Sequence, residues 1–401
     1  MRVIGLMSGT SYDAVDAAAA DLRLDGDTLR LTPLGALGQA YDEGLRAELA
    51  AALPPATTTL ETVCRLDTGV GRAFAEVAAR ADRELCEGRA ELVASHGQTV
   101  FHWTENGRVH GTLQIGAPSW IAERTGLPVV SDFRSRDVAA GGQGAPLVAL
   151  FDTLWLRGRP GRPVALNLGG IANVTVADGG RAYDTGPGNA LIDAAVRHVT
   201  GGRRAYDAGG ALAARGSVHL PLLDRLLAEP YYARPAPKTT GKELFHLPYL
   251  LAASAGLGPL RAEDVVATVT ALTARTVAGA VRDCGGTEVV ASGGGTRNPV
   301  LMSALAAALP GVPVRTSDEL GMPSAAKEAY AFTVLGFLTA HGLPGTVPAC
   351  TGARHARVLG SLTPGAAPLS LPAPPPGAPA RLRLAPDPGD GARDAAPGAV
   401  A

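Results

Sequence analysis

The stretch Tyr183-Asp184-Thr185-Gly186-Pro187-Gly188-Asn189 decides the reading of the fold, because it sets an acidic side chain between a short strand and a helix. Gly180 to Tyr183 reads as the strand, and the two glycines and the proline behind Asp184 place its carboxylate at a sharp turn rather than on a packed face. The run from Ala190 to Val196 then starts a helix, whose free N-terminal amides and positive dipole end favour an anion beside them. The pattern suits a phosphate held next to a carboxylate. It also suits a turn aspartate that caps a helix.

Working outward, Pro163 to Leu168, Ala172 to Ala177 and Gly180 to Tyr183 form a meander whose first turn is Gly169-Gly170. The chain opens in the same order: Arg2 to Met7, Val15 to Leu24 and Leu29 to Tyr41 form a meander with Ser8-Gly9-Thr10-Ser11 at its tip. Val63, Leu66, Val70, Phe74, Val77, Ala81 and Leu85 recur at helical steps and predict a helix over 61–87. Strands from Glu91 to Ser95 and from Pro128 to Ser131 follow. In the second half a helix from about Arg261 to Asp283 precedes the strand Glu288 to Ala291, which ends in Ser292-Gly293-Gly294-Gly295. A last helix covers Ala325 to Thr339.

Strands first, then alternating helices and strands, twice over, predict an α/β chain of two similar halves facing one another. The lobes are expected over residues 1–140 and 141–363, with the last helix near their interface. Beyond Thr363 the Pro/Ala/Gly-rich composition, poor in large apolar residues, predicts a disordered tail over 364–401.

A length of 401 residues leaves room for two domains with ample core. With 46% apolar and 18% charged residues and a net charge of −1, the chain has no general attraction for nucleic acid or anionic lipid. The apolar start is too short for a signal-peptide core, and no run reaches the roughly 18 apolar residues of a spanning helix. Cys64, Cys86, Cys284 and Cys350 lack metal or disulfide spacing. A cytoplasmic protein with neither nucleic-acid nor membrane partner is expected.

Three glycine turns are candidates for nucleotide contact. Gly9, Thr10 and Ser11 offer amides and two hydroxyls, Gly169 and Gly170 bare backbone, and Gly293, Gly294 and Gly295 end a strand before a helix starting near Asn298. In this order they resemble the two phosphate loops and the adenosine loop of the sugar kinase, Hsp70 and actin superfamily. The sequence holds neither a Walker string nor a protein-kinase H-R-D with D-F-G, so the phosphate grip would be mainly backbone.

Longer strings narrow the resemblance. Gly5-Leu-Met-Ser-Gly-Thr-Ser-Tyr-Asp-Ala-Val-Asp16, Ser95-His-Gly-Gln-Thr99, Ser131-Asp-Phe-Arg134, the run from Asp137 to Leu147, Asn167-Leu-Gly-Gly-Ile-Ala-Asn173, Asp184 to Asn189 and Ala326-Lys-Glu-Ala329 resemble the anhydro-N-acetylmuramic acid kinases. The resemblance runs from about residue 2 to Gly365. It implies two actin-like, ribonuclease H-like lobes around a central cleft. It also implies hydrolytic opening of the 1,6-anhydro ring of anhydro-N-acetylmuramic acid with ATP-dependent phosphorylation, giving N-acetylmuramic acid 6-phosphate in cell-wall recycling.

Site residues follow from the same resemblance. ATP, with Mg²⁺ bridging its phosphates, is expected on Gly9, Thr10, Ser11, Tyr12, Asp13, Ala14, Val15 and Asp16, and on Asn167, Gly169, Gly170 and Asn173. Gly186, Gly188, Gly293, Gly294, Gly295 and Asn298 complete that set. Asp184 matches the family's catalytic aspartate, a carboxylate able to activate water at the anomeric carbon. Glu328 resembles the family's sugar-contacting glutamate, at a helix start that itself favours an acid. His96 can hydrogen-bond the sugar, and Asp132 and Arg134 can orient its lactyl carboxylate or pair with each other. Metal ligands stay open among Asp13, Asp16 and Asp184, since Met7 stands where sugar kinases carry an Asp. The family suggests a homodimer.

Two departures stand out: Tyr12 replaces a usual Leu and Ala14 a usual Gly, so a positive φ at Ala14 would be strained. Three other readings compete. An ordinary sugar or acetate kinase would need no water, and an actin-like or chaperone ATPase would act on a protein partner. A metal-dependent tRNA-modifying enzyme would carry closely spaced histidines, which His96 and His102 do not provide.

Overall fold

Small and branched residues at alternate positions build the first meander. β1 (Arg2–Met7), β2 (Ala14–Asp25) and β3 (Thr28–Ala40) pair antiparallel, with Met7 opposite Asp16 and Asp16 opposite Gly38. β4 (Leu92–Ser95) runs parallel to β1, and β7 (Val129–Ser131) parallel to β4. Between them, β5 (Gln98–Glu105) and β6 (Arg108–Ile115) form a hairpin of their own. The helix Leu60–Leu85 buries Leu66, Val70, Phe74 and Val77 in a core with Ile4, Leu6, Ala17 and Ala19. Each such large side chain contributes roughly 1.5–3 kcal/mol. Thr59 caps this helix by accepting the Thr62 N–H, and Glu61 sits at its positive end.

The computed structural model describes all residues except Thr10, Pro55, Asn106, Lys242 and 386–401. It divides into two units, Met1–Trp155 with Glu328–Ala401, and Leu156–Lys327. In the second unit β8 (Pro163–Leu168), β9 (Ile171–Val176) and β10 (Ala182–Pro187) form another antiparallel meander, and β11 (Glu288–Ser292) and β12 (Val314–Thr316) follow in parallel. The order β10-β9-β8-β11-β12 repeats β3-β2-β1-β4-β7 of the first unit. In each, only the middle meander strand runs against the rest, which is the ribonuclease H-like, actin-like arrangement. The helix Ala262–Asp283 packs Val266, Val269, Leu272 and Val277 into a core with Val164, Leu166 and Val174. Among the described residues it alone is long and apolar enough to cross a membrane, but most of it is buried in the protein, as a core helix is.

The chain then returns to the first unit, and three expectations are corrected there. β13 (Ser361–Thr363) pairs antiparallel with β7, and β14 (Arg381–Leu384) pairs parallel with β3, which widens the sheet to seven strands. Glu328 to Thr363 therefore belongs to the first unit, not the second. Gly5 gives the reason: a Cβ there would lie 2.8 Å from the Thr333 nitrogen, so the helix Lys327–Ala340 rests directly on the β1 backbone. The first stretch runs to Trp155 rather than residue 140, because the segment after 140 is tied back to it. Gly144 N–H donates to Asp137 Oδ2 at 2.8 Å, and Gln143 N–H to the Thr351 carbonyl at 2.8 Å. The tail is not wholly irregular either. Leu382 is buried and Arg381 pairs with Asp27 at 2.9 Å, while 386–401 lie outside the described residues.

Candidate active site

Cross-strand register gathers the polar residues of the second unit. Ser292 pairs with Asn167, Asn167 with Asn173, and Asn173 with Asp184. Directly paired residues share a face. Asn167, Asn173 and Asp184 thus lie on the face opposite the one from which Leu166, Leu168, Val174 and Tyr183 enter the core. Asp184 lies inside β10, which runs on to Pro187 through a bulge between Asp184 and Gly186, so the expected strand end is corrected. Gly186 has φ 146°, and a Cβ there would stand 2.8 Å from the Tyr232 ring.

Asp184 is half-buried and held on three sides by one segment. The Thr240 N–H donates to its Oδ2 at 3.0 Å, its own N–H donates to the Lys238 carbonyl at 3.1 Å, and the Tyr231 hydroxyl donates to its carbonyl at 2.7 Å. Burial pushes the carboxyl up to about 6, against the Thr240 amide and the Thr239 hydroxyl, with the Glu243 carboxylate pushing the same way as burial. Such a group is ionised at neutral pH yet basic enough to take a proton from water. Sequence reasoning missed this segment; the available signal was the run Lys238-Thr239-Thr240-Gly241, hydroxyls and a glycine where no helix or strand period holds.

The glycine turn after β8 folds onto the turn after β10. Gly188 and Ala190 donate N–H bonds to the Gly170 carbonyl at 2.9 Å each, and Asn189 donates to Gly169 at 2.8 Å. The first amide of the helix Ala190–Val199 is thus tied to the glycine turn and is not among the free N-terminal amides expected there. The Thr273 hydroxyl lies 3.0 and 2.9 Å from the carbonyls of Pro187 and Gly188 and pins the same turn. Gly293 has φ 87°, and a Cβ on it would lie 2.5 Å from Asn167 Oδ1; around Gly294 there is open space. Gly295 approaches Leu168 so closely that a Cβ would lie 2.6 Å from that side chain. Asn298 has a different role from the one expected. Buried, its Oδ1 accepts the Val300 and Leu301 N–H groups at 3.1 Å and caps the helix Pro299–Ala308.

In the first unit the turn from β1 to β2 is closed by the Tyr12 N–H on the Gly9 carbonyl at 3.1 Å. Tyr12, not Ala14, takes the left-handed conformation, with φ 42°; Ala14 already begins β2, beside buried Val15. Ser11 donates to Asp13 Oδ1 at 2.8 Å, Asp16 lies under Gly38 on β3, and Thr10 is outside the described residues. Gln98 clamps the turn from β5. Its Oε1 lies 2.7 Å from the buried Ser8 hydroxyl, which also reaches the Ala14 carbonyl at 2.9 Å, and its Nε2 donates to the Gly9 carbonyl at 3.2 Å.

His96 is buried, and both ring nitrogens are occupied: Nδ1 donates to the Gly97 carbonyl at 2.8 Å, and Nε2 accepts from Arg134 Nε–H at 2.9 Å. Burial, then the Arg134 charge, push its pKa down to about 3, so the ring orients Arg134 instead of reaching the sugar as expected. Arg134 also donates to the Gly144 carbonyl at 2.7 Å, and the carboxylates of Glu328 and Asp137 favour its charge against burial. Asp132 does not pair with Arg134. Exposed and at φ 55°, it accepts the Ser135 hydroxyl at 2.6 Å. Among the described residues no three His, Cys, Asp or Glu side chains gather as a metal site.

The family model described as anhydro-N-acetylmuramic acid kinase matches residues 1–365. An anhydro-N-acetylmuramic acid kinase of Streptomyces avermitilis is 72% identical over 384 residues, covering 96% of this chain and 100% of its own. One of Rhodococcus erythropolis is 62% identical over 394 residues, covering 96% and 99%. Among solved structures, the (R)-2-hydroxyglutaryl-CoA dehydratase component A of Acidaminococcus fermentans is similar at 14% identity and a TM-score of 0.43, covering 84% of this chain and 97% of its own.

Proposed function

The chain belongs to the anhydro-N-acetylmuramic acid kinase family and is an ATP-dependent phosphotransferase of cell-wall recycling, and we propose that Asp184 is the base with which it opens the anhydro ring of its substrate. The observation that carries this reading is the Asp184 carboxylate, half-buried, aimed by the Thr240 amide and raised to about 6. Water deprotonated by Asp184 attacks the anomeric carbon, and the bond from that carbon to the 6-oxygen breaks. The 6-oxygen attacks the γ-phosphorus as the bond to the ADP oxygen breaks. N-acetylmuramic acid 6-phosphate, ADP and one proton result.

The bare backbone of Gly9, Gly169, Gly170, Gly293 and Gly294 suits ATP, and the open space at Gly294 leaves room where a side chain would intrude. Mg²⁺, when bound, neutralises charge on the transferring phosphoryl group. With Asp13 the carboxylate on the first turn and Asp16 following it inside β2, it would be held chiefly by nucleotide oxygens and water. Arg134, oriented by His96, is the proposed partner of the lactyl carboxylate, and Glu328 of the sugar hydroxyls. The reading includes a homodimer working in the cytoplasm, where ATP is available.

Incubation with anhydro-N-acetylmuramic acid and ATP-Mg in H₂¹⁸O tests it. The product is expected to carry ¹⁸O on the anomeric carbon at early times and phosphate on the 6-oxygen. Phosphorylation without early ¹⁸O incorporation would favour an ordinary sugar kinase. Light scattering reads the dimer.

A further inference from the structure

A short segment that no motif singled out supplies the hydrogen bonds described for Asp184 beyond its own sheet: the Tyr231 hydroxyl, the Lys238 carbonyl, the Thr239 hydroxyl and the Thr240 amide. Thr240 acts through its main chain, so the aim of that N–H depends wholly on the path of the backbone. Residues 233–237, which lead into it, are exposed. Lys238 fixes the path. Its ammonium donates to the carbonyls of Tyr231 at 3.2 Å and Tyr232 at 2.9 Å and lies 4.8 Å from the centre of the Tyr231 ring. Tyr231 is fully buried, edge-on to Phe245 at 5.9 Å, and Phe245 stacks on Tyr232 at 5.9 Å. The aromatic cluster is thus a fixed post, and Lys238 ties the turn to it.

We propose that Lys238 is a positioning residue, which holds the Lys238–Thr240 turn so that the Thr240 N–H keeps the Asp184 carboxylate ionised and aimed for water activation. The proposal rests on Asp184 being the base. The charged and titratable groups around this arrangement are Glu243, Tyr231, Arg234, Tyr183 and Asp283, besides Lys238 itself.

The test compares Lys238→Met, Lys238→Gln, Lys238→Arg and Tyr231→Phe by the pH profile of kcat/KM for the sugar, with KM for ATP and melting temperature measured alongside. Lys238→Met is expected to move the acidic limb up by about one pH unit, the scale of one N–H bond lost from a carboxylate, with KM for ATP unchanged. Lys238→Arg should return the limb. Tyr231→Phe, which keeps the Tyr231 carbonyl and ring that Lys238 uses and loses only the hydroxyl bond to the Asp184 carbonyl, is the control and should leave the limb in place. Lys238→Gln, neutral and shorter, should move it as Lys238→Met does and carries the test if the Met variant does not fold. A limb that stays in place while melting temperature or rate falls overturns the proposal. So does a limb shift that vanishes in about 0.5 M KCl, which would mark a charge effect. Asp184→Asn separates the two readings. If that variant keeps the acidic limb, the base assignment fails; if it loses the limb and Lys238→Met leaves it unmoved, only the positioning role fails.

Discussion

Arg134 donates its Nε–H to His96 Nε2 at 2.9 Å, and that bond fixes the proton on the other ring nitrogen. A guanidinium cannot accept, so Nε2 must be the acceptor and Nδ1 carries the hydrogen given to Gly97. Protonating the ring would break the bond and set two cations together in a buried place.

A stability prediction follows. The folded pKa of His96, about 3, lies below the ordinary value of 6.5, so the unfolded chain binds the extra proton and stability falls as pH drops from about 6.5 toward 3. The slope is about 1.4 kcal/mol per pH unit, or about 2 kcal/mol between pH 6.5 and 5. Denaturant melts of wild type and His96→Gln at pH 7.5 and 5 check it. The variant should have a raised KM for the sugar, from a loosened Arg134, and should lose less stability on acidification. Parallel acid losses in both proteins would rule the account out.

For Asp184 the sign is opposite. Its folded pKa, about 6, lies above the ordinary 3.8, so the folded chain binds the extra proton and the ionised carboxylate weakens the fold above pH 6. Asp184→Asn should therefore be more stable than wild type at pH 7.5, by on the order of 1–2 kcal/mol after screening, and no more stable below pH 4. Turnover should fall roughly 10²-fold or more while affinities for the sugar and a non-hydrolysable ATP analogue change little. A drop in melting temperature with weakened nucleotide binding would instead make Asp184 a structural or phosphate-loop residue.

Both meanders and their glycine turns were legible because strand alternation and glycine breaks are local signals. The return of the chain after residue 328 to the first sheet was not. It rests on Gly5 letting the Ala329 to Thr333 backbone approach β1, and a single glycine does not say which helix it admits. β14 was hidden for a different reason: Arg381-Leu382-Arg383-Leu384 alternates as a strand should, but the Pro/Ala/Gly run around it dominates the composition. His96 was read as a sugar ligand because its saturation by Arg134 and Gly97 is a tertiary fact.

That strand changes what truncation should do. Removing residues 366–401 takes away β14 with its buried Leu382 and bares the pairing edge of β3. The expected loss is about 1–3 kcal/mol of stability, with concentration-dependent aggregation and a kcat unchanged at temperatures where the protein stays folded. Calorimetry and light scattering of the shortened chain measure both. An unchanged melting temperature would mean that β14 contributes nothing to the first unit.

Gln98 offers the sharpest separation of nucleotide from sugar contacts. From β5 it holds the Gly9 carbonyl and the Ser8 hydroxyl, so it sets the shape of the β1–β2 turn without standing on that turn. Gln98→Leu keeps the volume but leaves the buried Ser8 hydroxyl with the Ala14 carbonyl and the Gly9 carbonyl with only the Tyr12 N–H. Tyr12 is already in a left-handed conformation that an aromatic side chain adopts reluctantly, so a released turn would relax away from the shape in which Tyr12 N–H meets the Gly9 carbonyl. Affinity for a non-hydrolysable ATP analogue should fall about tenfold, the scale of one or two lost hydrogen bonds, while affinity for the anhydro sugar stays within about twofold. Calorimetric titration of each ligand separately reads the two numbers. Equal loss for both would mean that Gln98 supports the unit as a whole, and sugar affinity lost alone would move the β1–β2 turn out of the nucleotide site.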